Sequence, residues 1–168
     1  MGVTAKVALN AWRGREKRIG MKRLGTMTAA ILLTIPAIAM AENGMFVIEG
    51  RCQKLQIGEH DFSNICSSKA VSTSYDDGRV GFHFVTNGGV ALTFSGLDLP
   101  NISEDEDETG IDSIILNVGG GTKSSKISAV GRCRYGNPFK GKMTIDCKAK
   151  TGGMAYHARF KTNGKPPK

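Results

Sequence analysis

Aromatic residues and histidine are scarce in this chain: Phe, Trp and Tyr make up 7% of 168 residues, and there are three His. With so few aromatics, the basic segments lack the stacking platforms that single-stranded nucleic-acid binders use. Nucleic acid is therefore disfavoured as a partner. His60, His83 and His157 stand in no metalloprotease or triad motif, and no nucleophile elbow is present. The expectation is a protein that is not an enzyme and needs no cofactor. No segment sustains a helical apolar period, which argues against a helix bundle. After residue 41 no apolar run is long enough to cross a bilayer as a helix. Gly119-Gly120-Gly121-Thr122-Lys123-Ser124 fails as a phosphate loop, because Gly does not directly precede Lys, and reads as a turn.

What is present starts with residues 21–41, MKRLGTMTAAILLTIPAIAMA. Lys22 and Arg23 form a positive head, and an apolar run from Leu24 to Ile35 follows. Ala39-Met40-Ala41 then offers small side chains before Glu42. This pattern predicts a cleavable secretory signal peptide, because the apolar core is too short for a membrane span. Residues 1–20 read as an upstream extension or a lengthened n-region. Residues 42–168 are expected to form one exported domain, periplasmic or extracellular, where disulfides persist.

Charge is unevenly placed. Residues 1–41 carry seven Lys/Arg against one Glu, so much of the chain's +8 belongs to the leader. Residues 42–122 carry 4 basic and 13 acidic groups, whereas residues 123–168 carry 12 basic groups and only Asp146. Such asymmetry points to interaction surfaces, or to two halves that attract each other.

The four Cys form an internal echo. Gly50-Arg51-Cys52 is followed by thirteen residues and Cys66, and Gly131-Arg132-Cys133 by thirteen residues and Cys147. Each interval centres on turn residues, near Gly58 and near Pro138–Gly141, so opposed positions in a hairpin bring the thiols together. Cys52–Cys66 and Cys133–Cys147 are the expected bridges among three possible connectivities. Zinc is the rival reading, but the Cys pairs lack the two-to-four-residue spacing of zinc knuckles.

The rest reads as strands: 45–52, 62–73, 79–86, 90–97, 111–118, 127–135, 141–150 and 154–162. Asp76-Asp77-Gly78 and Asn87-Gly88-Gly89 are hairpin turns. The fold class expected is all-β, an antiparallel meander of about eight strands forming a small barrel or a sandwich.

Alternation along the last strands points Cys133, Ile145 and Cys147 inward. Arg132, Arg134, Lys142, Lys148, Lys150, His157, Arg159 and Lys161 then face outward as one basic surface. Packed like charges repel, so this surface is the expected ligand-binding site, with an anionic envelope component as partner. A protein partner, such as an envelope enzyme held by an inhibitor, is the alternative. The acidic run Glu104–Asp112 offers a second site: Asp105, Asp107 and Thr109 fit positions of a calcium loop, with Asp112 beyond, although no Glu stands at position 12. That run could instead neutralise part of the basic face.

Overall fold

The computed structural model describes residues 44–120 and 123–168. The predicted leader lies outside the described residues. Nine strands follow one another: β1 (Gly44–Ile57), β2 (His60–Asp61), β3 (Cys66–Ser74), β4 (Arg79–Thr86), β5 (Ala91–Asp98), β6 (Glu106–Asn117), β7 (Ser125–Gly136), β8 (Thr144–Thr151) and β9 (Met154–Thr162). All neighbours are antiparallel, and pairing of β1 with β9 closes β1 and β3–β9 into an eight-stranded barrel. The two-residue β2 is an extra strand on β1. Closure leaves no free edge around the ring, which a sandwich would retain.

The strands form where period-2 patterning is clearest. Arg79–Thr86 and Met154–Thr162 coincide with the sequence expectation. In β9, Tyr156, Ala158 and Phe160 are buried while Arg159 and Lys161 are exposed. Elsewhere the boundaries differ for local reasons. The strand expected to begin at residue 62 begins at Cys66, because Ser63–Ile65 is a 3-10 turn. The strand expected from residue 111 begins at Glu106, because the acidic run pairs with β7 from Glu106↔Gly136 onward.

Inward side chains fill the ring. Phe84, Phe94, Phe160, Leu55, Leu92, Ile114 and Ile145 are fully buried. Phe84 meets Phe94 edge-on with ring centroids 6.0 Å apart, and Phe160 lies 6.5 Å from Phe84. Eight strands enclose a space that such side chains fill.

Both disulfides are as expected, with S–S distances of 2.02 and 2.01 Å. Cys133 sits directly opposite Cys147 in the β7–β8 ladder. The β1–β3 ladder ends at Glu49↔Lys69, and the Cys52–Cys66 bridge ties the two strands together beyond that end, with 5.9 Å between the Cα atoms. The two Gly-Arg-Cys copies also share a backbone feature. A Cβ on Gly50 would stand 2.2 Å from the Lys161 carbonyl oxygen, and one on Gly131 would stand 2.1 Å from that of Lys148. Neighbouring backbone thus fills the place of a side chain at both bends, as tightly coiled strands require.

Two register shifts matter for the surface. On β1, Cys52 pairs with Phe160 and Lys54 with Arg159, so Gln53 is an inserted residue. On β6, Asp112 is skipped in the pairing with β5 as well as with β7. A bulge of this kind re-aims a side chain.

Candidate functional site

The basic surface is assembled by register. Arg132, Lys148, His157 and Gln56 form one row across β7, β8, β9 and β1. Arg134, Asp146, Arg159 and Lys54 form the next row. Adjacent strands lie about 4.8 Å apart, so each row sets its residues side by side on the outer wall. Cys133, Cys147 and Ala158 fill the opposite, inward positions and are fully buried.

Over these rows runs a cleft of about 680 Å³. Val130, Ala149 and Ala155 give it an apolar lining, Arg132, Lys148 and Lys150 give it a cationic one, and His157 lines it beside them. Val130 is 81% exposed, an unusual setting for a β-branched apolar side chain.

The eight residues expected to form one surface divide into three groups. Arg132, Arg134, Lys148, Lys150 and His157 line the cleft. Arg159 lies in an adjoining hollow with Thr144 and Asp146. Lys142 and Lys161 sit farther along β9, beside Arg51. The single patch expected from alternation is thus corrected: Lys142 precedes β8 instead of lying in it, and Lys161 pairs with Arg51 and Thr144 at the end of the sheet.

Neither is the surface an uncompensated field of cations. Glu108, only 5% exposed, accepts hydrogen bonds from Arg132 through Oε1 and from Arg134 through Oε2, both at 2.7 Å. The hydrogen bond from Arg134 holds the Glu108 carboxyl below its ordinary value, the charges of both arginines add to this, and burial opposes it. Asp146 lies 3.0 Å from His157 Nε2 and 3.6 Å from Arg159. Among the described residues Lys148 and Lys150 form no ion pair. The cleft's cations without an ionic partner among the described residues are therefore two lysines at alternate positions of β8, roughly 7 Å apart.

The calcium-loop residues are not brought together. Asp105 is in the turn before β6 and pairs with Lys140. Asp107 and Thr109 point into the barrel end, where Thr109 Oγ1 donates to Tyr135 Oη at 3.4 Å. Asp112 is turned outward by its bulge and held by both Arg79 terminal nitrogens, at 2.6 and 3.1 Å. Asp107 and Thr109 share the inward face, whereas Asp105 is held outside the strand by Lys140 and Asp112 is held outside by Arg79, so the four do not enclose one ion. No cluster of three or more metal-binding side chains occurs among the described residues. Burial pushes the Asp107 carboxyl up, with Asp98 contributing, and burial first of all pushes the Tyr135 phenol up to about 12.

His83 is occupied on both ring nitrogens, by Thr73 Oγ1 at 3.1 Å and Thr93 Oγ1 at 2.9 Å, and burial lowers its pKa. Sequence reasoning missed Glu108 as the anion beneath the two arginines, and Arg51 as a neighbour of Lys161. Glu108 is one acid among five in a row, and only its register against Arg134 separates it from the others.

No family model, curated protein or solved structure matches the chain.

Proposed function

We propose that this chain is an exported, non-enzymatic binding module whose β7–β9 cleft recognises an anionic envelope component. The observation that carries this reading is the pair Lys148 and Lys150, cations without an ionic partner among the described residues, on the wall of a cleft with an apolar lining. Around them Glu108 and Asp146 fix the arginines and His157, so the site is preorganised and its two lysines are available to a ligand. Two disulfides agree with life outside the reducing cytosol. Among the described residues no helix is long and apolar enough to cross a membrane.

The test is retention of the protein on an immobilised polyanion across a salt series. Wild type should elute earlier as salt rises, since exposed charge pairs are screened. Lys148→Glu with Lys150→Glu should abolish retention. Retention unchanged in that double variant would overturn the proposal.

A second reading, a protein partner, is favoured by one feature. Phe139, 63% exposed in the β7–β8 turn, stacks edge-on against Phe46 at 6.4 Å. An exposed aromatic pair suits a protein interface. Binding to an envelope protein that resists salt and is lost in Phe139→Ala would favour this reading over the first.

A further inference from the structure

We infer that the seam between β1 and β9 carries a second anion site, built for a doubly charged tetrahedral oxyanion such as a phosphate monoester. Its residues are Arg51, Gln53, Lys142 and Lys161, and it stands apart from the Lys148 and Lys150 cleft.

Register is the first argument. Arg51 lies directly opposite Lys161 in the β1–β9 ladder. Like charges at directly opposed positions destabilise a sheet. Lys142, which packs against Gly164, lines the same hollow and adds a third cation. No carboxylate lines that hollow, and among the described residues none of the three cations forms an ion pair. Glu49, two residues before Arg51, is taken by Lys168 at 3.0 Å.

The bulge is the second argument. Gln53 is the inserted residue on β1; alternation already sets it on the outer side with Arg51, and the insertion keeps Lys54 on that side as well. Without it, alternation would send residue 54 inward. Gln53 adds a neutral amide to three cations around a hollow of about 490 Å³. Three cations converging from β1, β9 and the turn before β8 suit a compact dianion better than a planar, singly charged carboxylate. The volume leaves space for a small body beside the anion, and Gln53 can bond its hydroxyls. Four residues of β9 separate Lys161 from His157 in the first cleft, roughly 13 Å along the strand.

The experiment follows backbone amide resonances of the whole chain during titration with inorganic phosphate, with acetate as the singly charged control. Phosphate should move Arg51, Gln53 and Lys161 along a saturating curve, and acetate should not. Arg51→Gln and Lys161→Gln should each weaken phosphate binding about tenfold, as loss of a charge-assisted contact does. Both positions lie on the outer wall, and the amide spectrum itself reports whether each variant is folded. Lys148→Gln with Lys150→Gln should leave the phosphate affinity unchanged. Non-saturating shifts, equal response to acetate, or dependence on Lys148 and Lys150 would each overturn the assignment. Failure here would leave the cleft proposal standing, because the two sites share no residue.

Discussion

Asp107 is the residue whose environment conflicts most with its charge. Its Oδ1 is buried and has no hydrogen-bond partner among the described residues, and Asp98 adds a like charge nearby. Its folded pKa is raised, so the fold loses stability as pH rises from the ordinary aspartate value through the folded one. Asp107→Asn should therefore stabilise the protein by about 1 kcal/mol at pH 7 and by nothing near pH 3, where both states are protonated. Thermal melts at the two pH values check this, and an equal effect at both would refute the electrostatic account. Glu108 shows the opposite arrangement: it is no less enclosed, but two guanidinium groups satisfy both oxygens. A run of five acids reads from the sequence as one solvated loop. Register tells which of its members is clamped and which is stranded, the turn before β6 brings Glu104 and Asp105 to Lys140, and neither is visible in composition.

At the scale of elements, most strands were legible because apolar alternation is strong where one face is buried. The aromatic positions of β4, β5 and β9 point into the ring as that alternation demands. The disulfides were legible for a related reason: a hairpin is symmetric about its turn, and the turn residues mark its centre. Bulges were not legible. Gln53 and Asp112 look like ordinary strand residues, and each shifts the phase of everything beyond it. Lys54 and Gln56 face outward only because Gln53 resets the count on β1, so the part of the site that β1 contributes depended on an unseen insertion. The Gly-Arg-Cys echo was visible, but the close approach behind its glycines was not. Gly131→Ala should destabilise the barrel by about 1–3 kcal/mol, since its Cβ would collide with the backbone of β8. Denaturant unfolding measures this. A cost equal to that of Gly88→Ala, whose Cβ would meet only Thr86 Oγ1 at 3.8 Å, would show that the bend tolerates a side chain.

For the whole molecule, the charge asymmetry of the sequence becomes a set of ties between its halves. Glu108 holds Arg132 and Arg134, Glu104 and Asp105 hold Lys140, and Glu49 holds Lys168. Glu49, Asp61, Glu108 and Asp112 all have their pKa lowered, each first by a hydrogen bond from its cationic partner. A lowered carboxylate contributes stability that is complete above its unfolded value and lost as pH falls through its folded one. The melting temperature should therefore decline as pH drops below the ordinary carboxylate values of 3.8 for Asp and 4.5 for Glu. Glu108→Gln should flatten that decline. A melting temperature that stays constant down to pH 2 would exclude these ties as a source of stability.

Joining the first long strand to the last also sets the order in which the ring can be completed. Seven of its strands can add to one another as the chain emerges, but the eighth has two neighbours waiting for it. A chain stopped before Met154 would leave β8 and the second half of β1 with unsatisfied backbone donors and acceptors, two sticky borders where the full chain has none. Shortened products should therefore self-associate instead of persisting as smaller, soluble barrels.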